Sequence, residues 1–220
     1  MNEAEHLYRE SQEAILSLVN ESNQDTPVPA CPGWSAKDVI AHLTGALIDL
    51  STGNTEGAPS PAWTASHVER YRDSRLEAIA SAWRDAADSP AAKTLYGKMG
   101  VHLLPDVVTH EFDIRSALGN GDNRESAGLQ AIYPVVTGWL NGAFEKKGLP
   151  AITISSEVDP VVVGEGMPQA TLVSTLFELS RVFTGRRSVA QVAAMDWSVD
   201  PAPWASNLSV LGQRDTDLVE

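Results

Sequence analysis

Asp106-Val107-Val108-Thr109-His110-Glu111-Phe112-Asp113-Ile114-Arg115 is the stretch on which the fold turns. It follows Pro105, whose missing N–H suits the first turn of a helix, and it runs toward Gly119, a natural helix stop. The spacing predicts a helix over about 104–118, in which Val107, Ile114, Ala117 and Leu118 join His110 on the buried side. Asp106 and His110 are four residues apart, so they share a face, with Cβ atoms roughly 5–6 Å apart. A carboxylate and an imidazole aimed together invite a search for a third donor.

His42 is that donor. Cys31-Pro32-Gly33-Trp34 closes a proline-rich loop, and Ser35 followed by Asp38 has the pattern of a helix cap. The helix that starts there extends to about residue 51, with Val39, Leu43, Ala46, Leu47 and Leu50 as its apolar stripe. His42 lies inside the stripe and faces the core, from where it could reach Asp106 and His110 across a helix pair. Two imidazoles and a carboxylate form a three-ligand set that leaves positions open on an ion such as zinc. Spacing alone keeps plainer readings level with this one: a hydrogen-bonded core histidine, and an i,i+4 pair worth a few tenths of a kcal/mol. Asp113, one turn after His110, reads either as an orienting partner or as a salt-bridging carboxylate.

Outward from these two helices, the pattern predicts an amphipathic helix over about 3–20 and a long one over about 64–87, ended by Pro90. A connector through Tyr96-Gly97-Lys98-Met99-Gly100 leads to Pro105, and another helix spans about 126–147. At Gly148-Leu149-Pro150 the texture changes: 151–155 and 160–163 are β-branched and apolar, hence strands, and 167–184 returns to helical spacing. The expected fold is therefore mainly α, a helical bundle over 1–148 followed by a small α/β domain over 149–220. His6 and His67 read as solvated, and His102 falls ahead of the helix that Pro105 begins. Arg181, Arg186 and Arg187 cluster in the tail, where they read as solvated charges or as a clamp for a carboxylate.

A net charge of −13, from 29 acidic and 16 basic residues, argues against a nucleic-acid footprint and against adhesion to anionic lipid. Cys31 is the single cysteine, so no intrachain disulfide forms. The first residues are polar, and no apolar run approaches the roughly 20 residues that cross a bilayer, so a cytoplasmic protein is expected.

Pro29-Ala30-Cys31-Pro32-Gly33-Trp34-Ser35-Ala36-Lys37-Asp38-Val39-Ile40-Ala41-His42-Leu43 resembles the first signature of the mycothiol-dependent maleylpyruvate isomerase family, within the DinB-like superfamily of metal-binding four-helix bundles. The run from Asp106 to Gly119 resembles the second signature, and the tail around Phe177–Ser188 with Asp196-Trp197 is similar to the smaller C-terminal region of many members. The resemblance implies that His42, Asp106 and His110 hold a divalent metal, usually zinc, with aspartate where the family often carries glutamate. It also implies a mycothiol-like cosubstrate. In the isomerase the thiolate adds to a conjugated double bond, rotation follows, and elimination returns the thiol. In related transferases the sulfur stays on a small electrophilic acceptor. A metal-dependent hydrolase and a non-catalytic metal-binding or ligand-sensing bundle are the alternatives.

Overall fold

The computed structural model describes all 220 residues, which divide into two compact units, Met1–Asp122 and Asn123–Glu220. The first unit is helical: α1 (Glu3–Leu18), α2 (Ala36–Thr52), α3 (Pro61–Arg70), α4 (Leu76–Asp88), α5 (Pro90–Met99), a 3-10 turn (Gly100–Leu103) and α6 (Leu104–Ala117). Helices α1, α2, α4 and α6 form a bundle in which α6 packs on α1 and α2, and α4 packs on α2. Trp83 of α4 is fully buried and donates its indole N–H to the Tyr8 hydroxyl of α1 at 3.1 Å. The inner face of α2 buries Val39, Ile40, Leu43 and Leu47 almost completely. Each such side chain contributes roughly 1.5–3 kcal/mol by leaving water.

Local chemistry sets the helix ends. Ser35 and Asp38 make a reciprocal capping box: Ser35 Oγ accepts from the Asp38 N–H at 3.2 Å, and Asp38 Oδ2 accepts from the Ser35 N–H at 2.9 Å. Gly53 ends α2 in the left-handed region at φ +81°. Pro105 sits in the first turn of α6, and Gly119 follows that helix at φ +70°.

The single helix expected over 64–87 is in fact two. It breaks between Arg70 and Leu76, where Tyr71 leaves helical geometry and Arg75 is extended (φ −71°, ψ 148°). No proline or glycine marks this turn. The break is tertiary in origin, because α3 and α4 both pack on α2 as separate segments. Pro90 opens α5 as well as following α4, with Ser89 Oγ capping the Ala92 N–H at 3.1 Å. The connector expected around residues 96–100 is thus largely helical.

The second unit holds α7 (Ala127–Lys147), β1 (Ile152–Ser155), β2 (Val161–Val163), β3 (Ala170–Val173), α8 (Leu176–Phe183), α9 (Val189–Ala193) and β4 (Asp196–Trp197). Its sheet has the order β2-β1-β3-β4, with β1 parallel to β3 and the outer pairs antiparallel. The units divide at 122/123, whereas the change of sequence texture falls at 148/149, because α7 packs on α8 and β2. The helix expected over 167–184 is confined to α8: Ala170–Val173 pairs with β1 instead, burying Ala170 and Leu172 on alternate positions. No helix is long and apolar enough to cross a membrane.

Candidate metal centre

The loop before α2 builds one wall of the site. Pro32 and Gly33 occupy the middle of a turn closed by the Trp34 N–H to Cys31 C=O bond at 3.0 Å, and Gly33 has φ +85°. Proline followed by a residue that needs positive φ is the chemistry of a type II turn. The turn sets the Trp34 ring 5.2 Å from the His42 ring and 6.4 Å from the His110 ring, stacked on the latter at 29°. It also brings Cys31 Sγ within 3.6 Å of His110 Nδ1.

His42 from α2 and Asp106 and His110 from α6 come together. Asp106 reaches His42 Nε2 with Oδ2 and His110 Nε2 with Oδ1, each at 3.5 Å. The donor atoms of all three lie within 4.8 Å of one another. A tetrahedral zinc with bonds of about 2.1 Å separates its ligand atoms by roughly 3.4 Å, so the spacing suits such an ion. The histidines are buried at 3% and 7% exposure, whereas the Asp106 side chain is half-exposed at 49%. The carboxylate expected to be buried is therefore the open edge of the cluster.

Behind each histidine stands a partner. Asp113, fully buried, lies 2.9 Å from His110 Nδ1 and also receives the Cys31 S–H at 3.4 Å. A neutral imidazole that donates Nδ1–H to a carboxylate keeps its lone pair on Nε2, the atom facing Asp106. Cys31, His110 and Asp113 also group closely enough to suggest a second donor set. The 2.9 Å contact between His110 Nδ1 and Asp113 lies on the other ring nitrogen from the Nε2 that faces Asp106. On the other side His42 Nδ1 lies 3.2 Å from His67 Nδ1, and His67 Nε2 lies 3.1 Å from Asp49 Oδ2. Arg70 donates to the same Asp49 oxygen at 3.0 Å. Burial, then the neighbouring His42, pushes the His67 imidazole below its ordinary pKa. Burial would raise the Asp49 carboxyl, but hydrogen bonds from Arg70, Asn54 and His67 hold it below the usual carboxylate range.

His67, expected to be solvated, is fully buried. Its neighbours carried a signal: His42, Gly45 and Asp49 recur at three- and four-residue spacing along one face of α2, with a glycine where a side chain would block access. The tail arginines behave differently from either expectation. Arg181 and Arg187 are buried, both paired to Glu220, and Arg187 also holds Glu178 at 2.8 Å. Arg186 donates to the Thr184 carbonyl at 2.6 Å.

The cluster of donors lies within a segment that matches a known domain. Comparison with curated proteins finds no match. Among solved structures, a mycothiol-dependent maleylpyruvate isomerase is similar at 12% identity and a TM-score of 0.52, over 84% of this chain and 88% of that one. A histidine-to-alanine mutant of such an isomerase is similar at 12% identity and a TM-score of 0.51, over 83% and 88% of the respective chains. At this identity the likeness establishes the fold, a DinB-like helical bundle followed by a small C-terminal sheet. The model of the mycothiol maleylpyruvate isomerase N-terminal domain matches residues 8–115, which contain His42, Asp106 and His110 together with Cys31, Asp49, His67 and Asp113. Residues 8–115 thus form a domain similar to the mycothiol maleylpyruvate isomerase N-terminal domain.

Proposed function

We propose that the protein is a metal-dependent enzyme that uses a low-molecular-weight thiol of the mycothiol type to isomerise a small, electrophilic, conjugated acceptor. His42, Asp106 and His110 would hold the ion. The observation that carries this reading is the convergence of two imidazole Nε2 atoms on one carboxylate, each at 3.5 Å, inside a domain similar to the isomerase N-terminal domain. A divalent ion there, zinc by the nature of the donors, supplies the Lewis acidity that keeps a thiol ionised near neutral pH.

The chain's own residues do the rest. Asp113 holds the Nδ1 proton of His110 and so keeps its Nε2 lone pair aimed inward. Asp106 adds one negative charge to two neutral imidazoles, which leaves the set cationic with a divalent ion and receptive to an anionic sulfur. Trp34 covers both histidine rings and keeps water from that side. The half-exposed edge at Asp106 is the approach for thiol and acceptor. Reversible addition of the thiol across a double bond, with rotation and elimination, gives isomerisation; retention of the sulfur gives transfer. A reducing cytoplasm suits both the single cysteine and a thiol cosubstrate.

Cobalt-substituted protein tests the thiol. Addition of a small thiol at millimolar concentration should change the visible absorption as sulfur enters the coordination sphere. A spectrum indifferent to thiol would overturn the thiol reading in favour of a water-activating hydrolase or a sensor.

A further inference from the structure

The pair His67 and Asp49 is not explained by the three-ligand set, and with both imidazoles neutral its hydrogen bonds allow one ordering of protons. Asp49 is 3% exposed and bound by the Arg70 guanidinium at 3.0 Å, so it is an ionised carboxylate that only accepts. His67 Nε2, 3.1 Å away, must therefore carry a proton and donate it. A neutral imidazole has one N–H, so the lone pair of His67 is on Nδ1. That lone pair faces His42 Nδ1 at 3.2 Å, and two lone pairs cannot share such a contact. His42 consequently donates from Nδ1 and bears its own lone pair on Nε2, the atom turned toward Asp106.

We propose that His67, anchored by Asp49, is a positioning residue that fixes the tautomer and ring orientation of His42 and thereby tightens metal binding. The proposal rests on the reading of His42 as a ligand. It makes the two histidines equivalent in effect: Asp113 bonds His110 directly, whereas Asp49 acts on His42 through an interposed imidazole.

The packing is built for that imidazole. A Cβ added at Gly45 would stand 2.6 Å from both Cβ and Cγ of His67, so only glycine lets α3 bring His67 this close to α2. Glycine inside a helix costs about 1 kcal/mol relative to alanine. Trp63, one turn earlier on α3, closes the other side with its ring 4.2 Å from that of His67. A merely space-filling residue would need neither the notch nor the aligned carboxylate.

Two measurements separate this proposal from the metal reading beneath it. Long-range 1H–15N NMR on the metal-free protein reads the tautomer directly: His42 should carry its proton on Nδ1, and His67 on Nε2. Zinc affinity, by competition with a chromophoric chelator, should fall on the order of 10–100-fold in His67→Phe. His67→Gln, whose amide oxygen can accept from His42, should recover most of the loss. A proton on His42 Nε2 in the wild type, or wild-type zinc affinity in a folded His67→Phe, overturns the proposal. Should His67→Phe fail to fold, the wild-type tautomer still decides. Absence of zinc binding by the wild type would overturn the metal reading, and the NMR result would then judge the His67–His42 coupling by itself.

Discussion

Asp113 Oδ2 stands 2.9 Å from His110 Nδ1 while accepting the Cys31 thiol proton at 3.4 Å, so one fully buried carboxylate ties the loop before α2 to the centre of α6. The geometry gives the carboxylate and the thiol unequal weight. Asp113→Ala should reduce metal affinity about 10–100-fold, as loss of a partner behind a ligating histidine commonly does. Cys31→Ser retains a donor to Asp113 and should leave affinity little changed. Chelator competition on both variants checks this, and the reverse order would point to Cys31 as a ligand.

Gly45→Ala opposes two effects. Alanine favours the helix by about 1 kcal/mol, but its methyl would sit 2.6–2.7 Å from three atoms of His67, in a place without slack. Overpacking of this kind costs about 1–3 kcal/mol. The variant should unfold at lower urea concentration than the wild type, with weakened metal binding as His67 is displaced. A higher unfolding midpoint would show that the notch is not needed.

Asp49 links stability to acid. Its folded pKa lies below the ordinary carboxylate value, because Arg70, Asn54 and His67 outweigh burial. The stabilisation is therefore present above the unfolded pKa of about 4 and is lost as pH falls through the lower folded value. Asp49→Asn should flatten the decline of stability below about pH 4, measured by denaturant unfolding across that range. An unchanged slope would contradict the buried, paired carboxylate.

In the C-terminal unit, Glu220 is shared by Arg181 and Arg187, all with side chains at most 5% exposed. Removing one partner of a buried ion pair costs about 3–5 kcal/mol. Glu220→Ala should therefore destabilise strongly, while a double variant that replaces Arg187 as well should recover part of the loss. Thermal unfolding reads both. A neutral Glu220→Ala would show that the arginines are served elsewhere.

The helices that carry the site were legible because their signals are local. Ser35 with Asp38, Pro105, Gly119 and the i,i+4 pair Asp106/His110 each act within one or two turns. What escaped is long-range. The break between α3 and α4 has no proline or glycine and arises from packing on α2. Leu172, Leu176, Leu179 and Phe183 keep helical spacing, yet Leu172 belongs to β3 because β1 offers a parallel edge. His67 sits among polar residues of a short helix, and its burial depends on a glycine 22 positions earlier. The place of α7 depends likewise on its partners α8 and β2 rather than on its own pattern.

Elemental analysis of the protein purified from metal-replete medium tests the central claim most directly, with His42→Ala and His110→Ala measured beside the wild type. The account expects one divalent ion per wild-type chain, strongly reduced occupancy in both variants, and a lesser loss in Asp106→Asn, whose amide keeps an oxygen donor. A wild type without metal, or wild-type occupancy in both histidine variants, would contradict it.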